Sequence, residues 1–226
     1  MFGYYYNNNI RKIVVAFGSL FNDIHVAHKN PDGGNNLDIR VPITYASQEK
    51  FIQRYLNPSS ITDGTRIENQ LPRMSYIMAS VAPDPSRRRS RFATTLGKET
   101  VGIQGTCTPT GKAVYNEIPV NLTFNLFIYT RHTDDTMQIV EQIMPYFVPD
   151  HTIQLDMNEV NRSIQIPIVM VANNLNSSYD GDFGNRRVNI SSFSFVAKGY
   201  IFGKIVDTTV ISDTAGITLD ILNEYQ

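Results

Sequence analysis

Apolar positions recur along this chain with two different periods. Over residues 120–128 they alternate with polar ones, Val120, Leu122, Phe124, Leu126 and Ile128 against Asn121, Thr123 and Asn125, which predicts a strand with one buried face. A few residues later the spacing becomes helical, with Met137, Val140, Ile143, Met144 and Phe147 on one stripe. Thr133 stands where an N-cap is wanted, and Asp134 and Asp135 set negative charge against the positive end of the helix dipole. The stripe is expected to pack on the sheet, with Arg131, His132, Gln138, Glu141 and Gln142 facing outward. Residues 129–149 hold no nucleophile paired with a base and no set of metal ligands. They read as architecture, and an enzyme is not expected.

The same periods predict the other elements. A first helix is capped by Asn7, Asn8 or Asn9 and carries Ile10, Ile13, Val14, Phe17, Leu20, Phe21 and Ile24 on one face. Arg11 and Lys12 in its first turn have the wrong sign for the dipole, on an exposed face or against an acidic partner. Residues 30–36 form a Gly/Asn/Asp-rich loop, 39–45 a strand, and a short helix from Ser47 turns Phe51, Ile52, Tyr55 and Leu56 inward before Asn57-Pro58 stops it. Further strands are expected at 74–81, 152–157, 164–171, 188–202 and 205–211. Residues 86–112, rich in Arg, Gly and Thr, read as a long hairpin or an extended loop, and a loop of that length is usually functional.

Few helices and mostly alternating strands give an α+β fold, a mixed and mainly antiparallel sheet flanked by a few helices against one face. Pro42, Pro119 and Pro167 fall inside strand candidates. A proline removes a ladder donor and is tolerated at edges, strand starts or bulges, so several exposed edges are expected that an oligomer could use. The whole chain, 1–226, is read as a single domain with a long variable loop or hairpin at about 84–112.

Composition narrows the function without assigning it. At 226 residues and 42% apolar, the chain can bury a substantial core. Its net charge of −1 makes no electrostatic case for DNA or an anionic membrane as the partner of the whole protein. Cys107 alone excludes an intrachain disulfide and a multi-cysteine metal site. There is no signal-peptide order at the N-terminus and no apolar run near the ~20 residues a membrane helix needs. A soluble protein from a reducing compartment, with no membrane contact, is expected. Tyr4, Tyr5 and Tyr6 suit a contact surface as well as a core.

Several motifs suggest chemistry and fail on spacing. Between Gly105 and Gly111 lie five residues where a phosphate loop needs four, and Ala113 follows Lys112 where that loop needs Ser or Thr. Arg131, His132, Asp134 and Asp135 could suggest acid–base chemistry, but helix capping explains both acids. His25 and His28 would share a helix face, with no third ligand for zinc. Residues 180–184 read as a turn rather than a calcium loop. No cofactor is expected. One charge cluster stands out: Arg87, Arg88, Arg89 and Arg91, either a solvated loop, a contact for an acidic protein, or a transient DNA contact.

With those residues in view, the chain resembles the tail sheath stabiliser, or tail completion protein, of large contractile-tailed bacteriophages. The resemblance runs through residues 1–7, 17–24 and 39–47, and is tightest at Tyr129-Thr-Arg131, Asp134-Asp135, Gln138 through Ile143, and Pro145-Tyr-Phe147. A weaker echo covers 185–188 and the aromatic strand ending near Tyr200. Residues 57–112 share little of the family's wording.

The resemblance implies a phage tail-terminator-like fold and a structural role without catalysis. It implies a homo-hexameric ring at the head-proximal end of the tail, seated on the tail tube terminator and the last ring of the tail sheath protein. Such a ring holds the sheath extended and docks the head–tail neck or connector proteins, with DNA passing through its channel without sequence-specific binding. The candidate ring contacts are Tyr4, Tyr5, Tyr6, Arg131, His132, Gln138, Glu141 and Gln142. The competing expectation, raised by the arginine cluster, is a DNA-contacting neck or head–tail connector component.

Overall fold

The computed structural model describes residues 4–28, 37–56, 71–90, 94–96, 110–157, 162–175, 188–204 and 206–209. Three α-helices are found among them: α1 (Asn9–Ser19), α2 (Gln48–Leu56) and α3 (Thr133–Ile143). The strands are β1 (His25–His28), β2 (Leu37–Arg40), β3 (Ile43–Tyr45), β4 (Arg73–Pro83), β5 (Thr94–Leu96), β6 (Thr110–Tyr115), β7 (Ile118–Thr130), β8 (His151–Met157), β9 (Arg162–Asn174), β10 (Asn189–Ile201) and β11 (Val206–Thr209). Six of them form one sheet in the order β3-β4-β7-β10-β9-β8. Only β3 and β4 run parallel in it, and they are joined through α2, the crossover a parallel pair requires. The architecture is therefore α+β with a mainly antiparallel sheet.

The core lies on one face of that sheet. Val120, Leu122, Phe124, Leu126 and Ile128 of β7 are buried, and the register sets Phe193, Phe195 and Ala197 of β10 beside Leu126, Phe124 and Leu122. Helix α1 lays Ile13 and Phe17 on this surface, and the Phe17 ring stacks on Phe124 at 4.4 Å. Phe21 just beyond α1 and Phe147 just beyond α3 both reach Phe195, at 5.8 and 4.8 Å, so one aromatic cluster ties both helices to the sheet. Each such buried ring contributes roughly 1.5–3 kcal/mol of transfer free energy. Gly18 lets Tyr76 of β4 press against α1, where the phenol donates to the Val14 carbonyl at 3.1 Å; a Cβ there would overlap the Tyr76 ring. Helix α2 covers the opposite face, its Phe51 stacked on Tyr129 at 3.8 Å.

Several expectations are corrected. The inward face of α3 is Asp135, Thr136, Ile139, Val140 and Ile143, so Met137 and Met144 of the expected stripe are exposed. Thr136 lies on the inner face that Ile139, Val140 and Ile143 define at helical spacing, with Met137 about 100° further round, and its hydroxyl meets the Thr130 hydroxyl at 2.6 Å in the core. His132, not Thr133, is the N-cap, and its side chain makes no cap hydrogen bond. Asn8 caps α1 in a left-handed conformation, also without a side-chain bond. Asn7 instead donates to the carbonyls of Phe202 and Gly203 at 3.2 and 2.8 Å, tying the start of the chain to the end of β10.

The strand expected over 39–45 is two strands broken at Val41-Pro42, one pairing with β1 and the other with β4. His25 and His28 lie on strand β1 rather than on a helix. Pro119 and Pro167 do not mark edges, since β7 and β9 are interior strands. Pro119 is the second residue of β7, and Pro167 lies one residue beyond the last β9–β10 pair, Ile168 with Ala197. Within 86–112, β5 pairs antiparallel with β6, and β11 adds to β6 to complete a small separate sheet. The 30–36 loop, the glycine–threonine motif at 105–109 and the turn at 180–184 lie outside the described residues.

Candidate interaction surface

Helix α3 meets the hairpin of β1 and β2 through two glutamines. Gln138 accepts from the Ala27 N–H at 2.9 Å and donates to the Ala27 carbonyl at 3.2 Å. Gln142 does the same to His25, accepting at 3.2 Å and donating at 2.6 Å. Four helical residues rise about 6 Å and two strand residues about 6.6 Å, so amides at i and i+4 match the edge-facing groups of a strand at i and i+2. The two side chains thereby act as a surrogate strand that satisfies the outer edge of β1. Gln138 and Gln142 are half-buried by this work, and the expectation that they stand open beside Glu141 is corrected for both. Arg131, His132 and Glu141 are exposed. The glutamine pair at helical i, i+4 spacing was the available signal, without the strand it serves.

The hairpin is pinned at a third point. The Asp135 carboxylate is buried and lies 2.8 Å from His28 Nε2. His132 sets its ring edge-on to His28 at 6.4 Å. Asp135 thus turns inward to hold the hairpin as well as standing in the first helical turn. Among the described residues no three of His, Cys, Asp or Glu gather as a metal site would require. No helix among them is long and apolar enough to cross a membrane.

The arginine cluster is divided by the fold. Asp84 accepts from the Ser86 N–H and hydroxyl at 3.0 and 2.6 Å and from Arg87 Nε at 2.7 Å. The hydrogen bonds from Ser86, then that from Arg87, hold its carboxyl well below the usual carboxylate range. Arg87 also donates to the carbonyls of Val120 and Lys198, both at 3.3 Å, and to Asn121 Oδ1 at 3.0 Å, and lies 5.2 Å over the Tyr200 ring. Its guanidinium is a clasp across β7 and β10. Arg89 pairs with the buried Glu117 at 3.6 Å. Arg88 is exposed, and Arg91 lies outside the described residues.

Two groups of exposed apolar side chains stand out among the described residues. At the start of the described chain Tyr4, Tyr5 and Tyr6 are 96%, 51% and 60% exposed. Beyond the other end of α1, a cleft of about 580 Å³ opens between Leu20, Phe21 and Ile24 on one side and Ile143, Tyr146 and Phe147 on the other. Met144, Tyr146 and Val148 continue it as exposed apolar surface. Contiguous exposed apolar surface of this kind is a candidate interaction surface.

Residues 4–224 match the family described as the T4-like virus Myoviridae tail sheath stabiliser. The chain is 31% identical over 213 residues to the tail completion protein gp15 of Enterobacteria phage T4, a match that covers 92% of this chain and 75% of that protein.

Proposed function

The chain belongs to the tail sheath stabiliser family of T4-like myoviruses, structural proteins of the virion tail, and from that premise we propose that it closes into a six-fold ring at the head-proximal end of the tail. The ring caps the tail tube terminator and the last ring of sheath protein, keeps the sheath extended and offers its upper surface to the neck of the filled head. The observation that carries the reading is the family match from residue 4 to residue 224, which includes the whole β7–α3 unit.

Two features of the fold support it. A closed ring needs two different complementary surfaces on each subunit, and the exposed tyrosines and the apolar cleft are two unlike surfaces at opposite ends of α1. Strand β8 is the outer strand of the six-stranded sheet, on the side away from the short β3, and offers an edge for an extended arm of the sheath protein. The edge of β1 is closed to such addition by Gln138 and Gln142.

DNA passes through the channel without being read. The neck or connector reading rests on Arg88 and Arg91, because Arg87 is engaged within the subunit and Arg89 pairs with Glu117.

Electron microscopy of the purified protein mixed with sheath and tube terminator tests the proposal. A six-fold cap on the head-proximal end is expected. A protein that stays monomeric and leaves those ends bare overturns it.

A further inference from the structure

We propose that the Tyr4-Tyr5-Tyr6 arm of one copy seats in the cleft between α1 and α3 of the next copy, so that the ring is closed by successive exchange of N-terminal arms; this rests on the ring reading above and names the contact that makes it.

The arm and the cleft lie at the two ends of one helix. Asn7, held by the Phe202 and Gly203 carbonyls, fixes the base of the arm just before α1. Leu20, Phe21 and Ile24 form one wall of the cleft just after it. The eleven residues of α1 separate them by about 16 Å. All three tyrosines are exposed, so the subunit's own arm does not fill its own cleft. A ligand surface at one end of an element and a receptor surface at the other define a head-to-tail contact, and such contacts generate rings when the rotation closes.

The chemistry of the two surfaces is complementary. Tyrosine carries a large apolar ring with two rotatable bonds and a polar tip, so it gains contact area at low entropic cost. The cleft is walled mainly by aliphatic and aromatic side chains, with Asp23, Glu141 and Gln142 also lining it, and His151 within it can meet a phenol hydroxyl. Its volume accommodates more than one such ring. Charge follows the same order. Arg11 is exposed one turn into α1, behind the arm, and Glu141 is exposed at the rim of the cleft. An arm entering the cleft therefore brings a cation toward a carboxylate.

The test uses the full chain. Tyr5 is replaced by the photo-crosslinking residue p-benzoylphenylalanine, and rings are assembled from equal parts of unlabelled and nitrogen-15-labelled protein. Irradiation is expected to join residue 5 to the peptide carrying residues 141–147, in pairs of mixed isotopic content. Crosslinks confined to one chain, or made to sheath protein instead, overturn the proposal. Replacing all three tyrosines by serine is expected to weaken ring assembly by at least about tenfold, with an unchanged circular dichroism spectrum because the rings are exposed. Arg11→Glu and Glu141→Arg should each impair assembly, and the two together should restore it. If the wild type forms the ring and caps sheaths while the serine variant assembles equally well, the arm contact falls and the ring reading stands. A wild type that neither assembles nor caps removes the ring reading and this contact with it.

Discussion

Gln142 holds His25 by both of its backbone groups, donating to the carbonyl at 2.6 Å and accepting from the N–H at 3.2 Å. Gln138 repeats the arrangement on Ala27, so α3 replaces a missing strand at the edge of β1.

Loss of either amide leaves one N–H and one carbonyl of that edge to water. Gln142→Ala and Gln138→Ala should each cost about 1–2 kcal/mol, measured by urea unfolding. The amides of His25 and Ala27 should lose hydrogen-exchange protection site by site, each with its own glutamine. Gln142→Glu should be no better than alanine near neutral pH, because a carboxylate accepts from the N–H but repels the His25 carbonyl. Unchanged protection at His25 in Gln142→Ala would show that the edge is held by other groups.

Gly18 and Tyr76 make a second prediction. In a helix interior, Gly→Ala ordinarily gains about 1 kcal/mol. Here the added methyl would overlap the Tyr76 ring, whose hydroxyl is bonded to Val14, so neither partner can move freely. Overpacking should outweigh propensity, and Gly18→Ala should lose about 1–3 kcal/mol. Adding Tyr76→Leu should recover part of that loss, and the double-mutant cycle in thermal or urea unfolding reads the coupling.

Acid should act through Asp84. Its carboxyl is held below the ordinary value by Ser86 and then Arg87, so the native state keeps it ionised where the unfolded chain would protonate it. A depressed native pKa gives stability that is complete above the unfolded value near 3.8 and is lost as pH falls through that value toward the native one. Melting temperatures of the wild type and Asp84→Asn should therefore differ most above about pH 4 and converge below it. Arg87→Ala should lower the melting temperature by roughly 5 °C while leaving any DNA binding unchanged, since its guanidinium is turned onto β7 and β10. Arg88→Ala should show the reverse pattern if DNA is touched at all.

These residues also show what could be read in advance. The alternation in β7 and β10 and the spacing of Ile13, Phe17 and Phe21 placed the core correctly, because each pattern is local and one face of each element is buried. Strand β1 was not legible. Ile24 continues the spacing of α1, and the four residues His25–His28 offer one buried apolar side chain, Val26. The break at Val41-Pro42 depends on two partners, β1 and β4, that lie on opposite sides of it in sequence. The fate of Arg87 was decided by Asn121, Lys198 and Tyr200, none of them near it in the chain. Thr136 is inward because it shares the face of Ile139, Val140 and Ile143, whereas the expected stripe took in Met137 and Met144, which lie about 100° round from the middle of that face.

Tyr129, within the stretch that carries the family resemblance, makes the last prediction. It is fully buried beneath Phe51, and its phenol lies 3.1 Å from the Ser75 hydroxyl. Burial raises its pKa above the usual tyrosine value, and the bond from Ser75 offsets only part of that rise. The native state therefore binds this proton more tightly than the unfolded chain, so stability is complete below about pH 10 and declines as pH rises from there toward the native value. Tyr76 is shifted the same way by burial, with Tyr45 adding to it, so Tyr129→Phe should remove part of the alkaline decline and not all of it. At pH 7 the same variant leaves the Ser75 hydroxyl unpaired and should cost about 1–2 kcal/mol. Ser75→Ala combined with Tyr129→Phe should cost less than the sum of the two single changes, because the second removes the group that the first leaves unpaired. Urea titrations of the four proteins between pH 7 and 11 measure both effects. An alkaline limb identical in wild type and Tyr129→Phe would mean that the phenol ionises as freely in the folded protein as in the unfolded one.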